Sequence, residues 1–266
     1  MGNMENSKIF TIFAMSLYLI GVMGQSNSHN YVMKETMKSD DYMVKNTEVR
    51  YYNGVGTPVM VVTDALSGSG MFTYSMQSYD LLGRQTQTWL PVTTSNTSPS
   101  YVAPSEIPSM SESFHHDAHA YLLVSYDASD RLLEEWGAGE TWHHEGRKKE
   151  TSYRFNHANE VRLYDAPTDG SCSLVKKGYY AKNRLSVTEA SDEEGHSIQV
   201  FTDVQGRKVL ERRNGNNDTY FVYNDLGQLR FVLSPGYQTE GHKAKYAYEY
   251  RYDDRGRMVK KILPGC

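Results

Sequence analysis

The sequence predicts an all-β fold in which antiparallel hairpins follow one another along a single sheet. Three observations carry that prediction: a short turn segment recurs along the chain, apolar and aromatic residues alternate with period two around it, and helical periodicity is nearly absent. The turn appears as YDLLGRQ (Tyr79–Gln85), YDASDRL (Tyr126–Leu132), FNHANEV (Phe155–Val161), TDVQGRK (Thr202–Lys208), YNDLGQL (Tyr223–Leu229) and YDDRGRM (Tyr252–Met258), with a looser copy at YNGVGTP (Tyr52–Pro58). The common form is an aromatic, Asp or Asn, two free positions, Gly, then often Arg. The copies at 79 and 126 and those at 155 and 202 lie farther apart than the rest. That spacing points to a diverged copy or an inserted loop.

Each position of the turn has a physical reason. Asp or Asn accepts a hydrogen bond from a backbone N–H two residues on. Glycine three positions later takes positive φ without a Cβ clash. Together they make a short hairpin connection with a bulge at the glycine. The turn positions are therefore Tyr79, Asp80, Gly83 and Arg84; Tyr126 and Asp127; Asp203, Gly206 and Arg207; Tyr223, Asn224 and Gly227; and Tyr252, Asp253, Gly256 and Arg257. Their carboxylates read as turn acceptors, not as an acid–base pair, and Arg84, Arg131, Arg207 and Arg257 are expected to meet acids across the sheet.

Strands flank the turns. Leu229, Phe231 and Leu233 share one face, and tyrosine falls at 246, 248, 250 and 252. A helix would scatter those rings around its axis, whereas a strand puts them on one side. Tyr246, Tyr248 and Tyr250 are then either a packed strand face or, on the alternative reading, a platform for stacking sugars. Ser129–Gly139 has room for one or two helical turns before Gly137 and Gly139 stop it. The Ser/Thr/Pro-rich stretch 91–110 reads as a loop or linker.

Bulk properties fit this picture. Of 266 residues 21 are tyrosine, 21 glycine and 8 proline, a balance suited to pleated surfaces and tight turns. The net charge of −4, without a long basic block, argues against a nucleic-acid partner. Lys8 precedes the apolar run Ile9–Gly24, the length of a secretory leader, with Val22 and Gly24 small enough for a cleavage site. Residues 1–24 are thus expected to be a signal peptide that directs the chain to secretion or the cell surface. An uncleaved anchor is the alternative and the sole membrane association foreseen. With Cys172 and Cys266 the only cysteines, the fold must stand without a disulfide framework. The expected organisation is a signal peptide (1–24), an N-terminal β domain (25–92), a Ser/Thr/Pro-rich loop or linker (93–120) and a turn-repeat sheet (121–266).

The ordered series YDLLGRQ, YNDLGQL and YDDRGRM resembles the tyrosine–aspartate (YD) repeats of RHS proteins. Tyr51–Val62 followed by Tyr79–Val92 looks like the N-terminal domain that precedes the repeats in exported bacterial members, and Phe155–Ala166 and Tyr220–Pro235 are also similar to that group. The resemblance covers roughly residues 30–266. It implies an antiparallel sheet curled as part of an RHS-type β-shell, which in some members encloses a C-terminal toxin and in others serves cell-surface interaction or adhesion. The family's DPxGL-type core segment is missing, so self-cleavage and toxin enclosure are not carried over, and the chain looks like the front portion of such a protein. The function expected is a non-enzymatic scaffold without cofactors. Its C-terminal strand edge would take the remainder of a shell or another protein strand, since an unpaired edge is open to strand addition. Glycans are the alternative partner.

Two histidine clusters are candidates for metal chemistry. His115, His116 and His119 lie in FHHDAHAY, where 115 and 119 share a face on either a helix or a strand, yet the segment lacks the glutamate of HExxH. His143 and His144 stand beside Trp142 and Glu145. Solvated loops are the plainer reading of both, and a metal-dependent hydrolase is the third functional class. Phosphate-loop and GxSxG signatures are missing. Asn96 and Asn217 match the glycosylation sequon.

Overall fold

A computed structural model describes residues 29–37, 45–65, 70–95, 98–168 and 173–265. The leader expected at 1–24, the sequon at Asn96 and both cysteines lie outside the described residues. The chain divides into two compact units, residues 1–123 with 138–140, and residues 124–137 with 141–266.

The first unit holds β1 (Asn30–Met37), β2 (Lys45–Tyr52), β3 (Pro58–Asp64), β4 (Phe72–Tyr79), β5 (Gln85–Trp89), β6 (Val92–Thr94), the helix α1 (Ile107–His115) and the start of β7 (Tyr121–Tyr126). β1 to β5 pair in chain order, β6 returns to β4, and β7 pairs with β5. Alternate residues point inward: Val49 and Tyr51, Met60 and Val62, and Phe72, Tyr74 and Met76 are all buried. Trp89, Val92 and Ile107 complete that core. Tyr51 donates its hydroxyl to the Pro99 carbonyl at 2.6 Å, and burial pushes its pKa up to about 12.

The second unit continues with β8 (Leu132–Trp136), most of α2 (Glu140–His144), β9 (Lys148–Phe155), β10 (Arg162–Asp165), β11 (Val175–Tyr179), β12 (Ser186–Ser191), β13 (Ser197–Thr202), β14 (Lys208–Arg213), β15 (Asn217–Tyr223), β16 (Leu229–Leu233), α3 (Pro235–Glu240), α4 (Lys243–Tyr246), β17 (Ala247–Tyr252) and β18 (Met258–Ile262). Its sheet runs β8-β9-β12-β13-β14-β15-β16-β17-β18 with antiparallel pairing throughout, and β10 and β11 form a separate two-stranded sheet. Leu185, Val187, Phe201, Leu210, Tyr220, Val222, Phe231 and Leu233 form the core. Among the described residues the pairings trace one long antiparallel sheet of 16 strands. The all-β expectation holds.

Three local expectations are corrected. Ser129–Gly139 contains no helix: Leu132–Trp136 is strand β8, because the turn at Asp127 closes just before it and sends the chain back. Lys148 on β9 then bridges to Glu134 at 2.6 Å and sits over the Trp136 ring. The stretch read as loop carries β6 and α1. In α1, Ile107 and Ser111 bury one face at helical spacing, and proline at the helix start needs no N–H partner. FNHANEV is no tight turn. β9 ends at Phe155 and pairs with β12 starting at Ser186, so residues 156–185, with β10 and β11, are an insertion inside one hairpin. Asn156 closes that gap: its N–H donates to the Leu185 carbonyl, and its buried Oδ1 accepts from the N–H groups of Arg184 and Leu185. Asn183, at φ 62°, takes the conformation that glycine holds in the copies at 79, 202, 223 and 252 and Asp130 holds in the copy at 126.

Two further turns lack the aromatic; that at Asp192 repeats the same hydrogen bonds, whereas Asn214 Oδ1 accepts from Ser197 N–H across the strand pair. Asp192 and Gly195 join β12 to β13, and Asn214-Gly215, both at positive φ, join β14 to β15 at the same end of those strands. The aromatic-led turns of this unit lie at the other end.

Gly206 sits at φ 78° with open space where a Cβ would project, so Gly206→Ala isolates backbone strain from crowding. We expect a loss of about 1–2 kcal/mol by urea denaturation, with an unchanged m-value.

Candidate functional site

The feature that recurs with fixed geometry is the turn itself. In the copy at 202, Asp203 N–H donates to the Arg207 carbonyl at 3.0 Å and Gly206 N–H to the Asp203 carbonyl at 3.0 Å. Asp203 Oδ1 accepts from the N–H groups of Gln205 and Arg207, both at 2.9 Å, while Oδ2 accepts from Arg207 Nε at 2.7 Å. Asp80 with Arg84, Asp127 with Arg131 and Asp253 with Arg257 repeat this pattern. A β-bulge falls at the aromatic position beside the turns at 52, 79, 202, 223 and 252. The arginines thus reach the aspartate of their own turn, four residues back, instead of acids across the sheet. The glycine bulge turns the chain so sharply that the fork of the guanidinium falls on the free carboxylate oxygen. Asn224 replaces the charged pair with an amide pair, donating Nδ2–H to Gln228 Oε1 at 2.8 Å.

The aromatics connect one turn to the next. Tyr223 donates its hydroxyl to the Lys208 carbonyl at 3.0 Å, just past the turn of Asp203. Tyr252 does the same to Leu229 at 2.9 Å, just past the turn of Asn224. In the first unit Tyr79 reaches Pro58 at 2.8 Å, just past the turn of Asn53. Arg207 also lies over the Tyr223 ring, 4.8 Å from its centroid. Each tyrosine therefore fastens its own hairpin to the preceding one.

The tyrosine row divides. Tyr246 ends α4 and is not on the strand; its ring covers Gly236, where an added Cβ would lie 2.5 Å from Cδ1. Tyr248, Tyr250 and Tyr252 share one face of β17 and are half-buried, while Ala247 and Glu249 point into the core. Lys261 lies over the Tyr248 and Tyr250 rings at 5.5 and 5.7 Å, which occupies the surface a sugar would stack on.

The histidine candidates separate as well. His115 is the last residue of α1, its Nε2 buried without an acceptor, and His116 is the left-handed cap that follows. His119 instead joins Asp117 and Glu140, with one ligand atom from each within 4.8 Å of the others. That grouping has a structural explanation: Asp117 accepts the Glu140 N–H at the start of α2, and the His119 ring pairs with the Glu140 carboxylate. His143 stacks on Trp136, and Glu145 pairs with Arg147.

Residues 25–155 match the family described as a domain of unknown function (DUF6443). No curated protein matches the chain. Among solved structures it is similar to the crystal structure of TcdB2-TccC3, with a TM-score of 0.52 and 13% identity over 88% of this chain. It is similar by the same measures to the Photorhabdus luminescens Tc holotoxin pore carrying a TccC3 substitution. This chain covers 11% of each of those chains, and at that identity the likeness speaks for the fold alone: an RHS-like β-structure.

Two predictions follow from the turn geometry. Tyr223→Phe and Tyr252→Phe should each cost about 0.5–1.5 kcal/mol in urea denaturation, while Tyr248→Phe, whose hydroxyl makes no hydrogen bond among the described residues, should stay within about 0.5 kcal/mol of the parent. The second concerns acid. The Asp80, Asp127 and Asp253 carboxyls are held below the ordinary 3.8, first by the backbone N–H of the turn's arginine and then by its guanidinium. Burial alone would raise Asp203, and its hydrogen bonds outweigh that. A depressed carboxyl stabilises the folded state fully above its unfolded pKa. Denaturation midpoints should therefore be flat above about pH 5 and fall progressively below 3.8, and Asp203→Asn should flatten that fall.

Proposed function

We propose that the chain is a non-enzymatic structural scaffold of RHS type, exported to the cell surface or beyond, and a segment of a larger β-shell. The observation that carries this reading is the tyrosine-linked series of turns, which gives nearly every signature residue a structural partner. The aspartates that sequence alone would offer as catalytic carboxylates are each occupied by two backbone N–H groups and an arginine. The fold likeness to TcdB2-TccC3 and to the Tc holotoxin supports the same reading. Export rests on the apolar run Ile9–Gly24 behind Lys8. A sugar platform is disfavoured by the half-buried tyrosines under Lys261.

The partner in this reading is another strand. β18 pairs on one side with β17, and Met258 and Val259 are exposed on it, at 57% and 63%. An open edge of this kind accepts a further strand, from the rest of a shell or from a second chain.

The test is hydrogen exchange of the purified chain across a concentration series, read together with light scattering. β18 amides should exchange faster than those of β14–β16 in the monomer and become protected as association sets in. A strictly monomeric chain with β18 already protected would overturn the strand-partner reading. Specific retention on a glycan array would overturn the scaffold reading in favour of carbohydrate binding.

A further inference from the structure

The insertion at 156–185 interrupts the repeat and builds a feature the regular turns do not. Its hairpin, β10 and β11, packs beside α3 and leaves a cleft of about 340 Å³ lined by Arg162, Tyr164, Lys176, Tyr237, Gln238 and Glu240, among others. The volume is in the range that holds a small ligand. The hairpin is seated firmly: Arg162 N–H donates to the Tyr220 hydroxyl at 3.4 Å, and the Tyr164 ring meets the Tyr220 and Tyr237 rings edge-on.

The polar groups of this cleft are unbalanced. Arg162 Nη1 and the Tyr164 hydroxyl both donate to Gln238 Oε1, at 3.2 and 3.0 Å. Because arginine only donates, those contacts fix the amide orientation and turn Nε2 away, and Gln238 Nε2 is buried with no acceptor. Among the described residues the guanidinium of Arg162 meets neutral oxygens, those of Gln238 and the phenols of Tyr164 and Tyr179. No ion pair forms at Arg162 or at Lys176, which lies across from Tyr164 in the hairpin, among the described residues. The one acid on the rim, Glu240, is engaged by Lys245 and the Tyr246 hydroxyl. Two cations thus line the cleft with no ion pair of their own among the described residues, its one acid is taken up by other partners, and a buried amide donor lies unused beside them.

We infer that this cleft is a binding site for a carboxylate on a short stem, of the class of a glutamyl or aspartyl side chain of a polypeptide. Arg162 offers the planar fork such a group fits, Gln238 Nε2 a further donor after a small side-chain shift, and Lys176 the second charge. The Tyr237 ring and Leu174 line the same space and suit the aliphatic stem. This goes beyond the scaffold reading and does not depend on it.

The experiment is an NMR titration of the full chain at low salt with N-acetyl-glutamate N-methylamide, with the glutamine counterpart and inorganic phosphate as the other arms. The expected result is saturable binding of the glutamate probe that shifts the Gln238 side-chain amide, no saturation with the glutamine probe, and phosphate binding at least tenfold weaker. Arg162→Gln and the exposed Lys176→Gln should each weaken binding at least tenfold. Gln238→Glu, which supplies the missing carboxylate from within, should abolish binding and raise the melting temperature. The proposal is overturned if the glutamate probe fails to saturate, if the glutamine probe or phosphate binds as well, or if Lys176→Gln and Gln238→Glu leave binding unchanged.

Discussion

The structure depends on one small arrangement: a side-chain oxygen at the first turn position that accepts two backbone N–H groups, and a glycine whose positive φ lets the second of them point back. In isolation a two-stranded hairpin is marginal in water. Closing its connection with side-chain acceptors removes the polar groups a tight bend would otherwise leave unpaired and fixes the register of both strands at once. Since a slip of one residue would turn every inward Val, Phe and Leu outward, the turn and the core specify the same register. Val222 and Tyr220 face the core of the second unit because the bulge beside Tyr223 counts the strand from its end.

The arginine and the tyrosine extend this local device along the sheet. The arginine returns to its own aspartate, so the charge pair stabilises the turn and not the contact between strands. The tyrosine reaches the preceding hairpin, so the contact between repeats is a phenol–carbonyl hydrogen bond backed, at Tyr223, by a guanidinium on the ring. Repeat stability is then a sum of turn terms and nearest-neighbour terms. The division of labour also explains why Asp192 and Asn214 make sound turns without a leading aromatic: the end of the strands they occupy does not carry the phenol link.

Where the device is interrupted, the chain gains something else. Asn156 keeps the hydrogen bonds of a turn while residues 156–185 leave and return, so the sheet is undisturbed and the inserted hairpin is free to present Arg162 and Lys176 beside α3. Regular repeats spend their polar groups on each other; the insertion leaves donors over. A scaffold with such a cleft has a place to hold a segment as well as an edge to extend.

Much of this was legible in the residues. Aspartate and glycine at fixed spacing dictate the bend through local hydrogen bonds and backbone sterics, and period-two alternation dictates the strands, so the all-β class, the turns and their bulges follow without tertiary information. The sequence alone could not say which acid an arginine meets, because Arg207 has candidates on either neighbouring strand and only the bulge geometry selects Asp203. Nor could it separate Tyr246 from Tyr248, since the period-two row continues across the end of α4, where packing on Gly236 and not alternation places the ring. Leu132–Trp136 has helical composition and becomes β8 because its neighbour across the sheet is already a strand. Local rules determine where this chain bends and which side faces in; only the folded whole decides what stands beside each bend, because those neighbours come from distant parts of the chain.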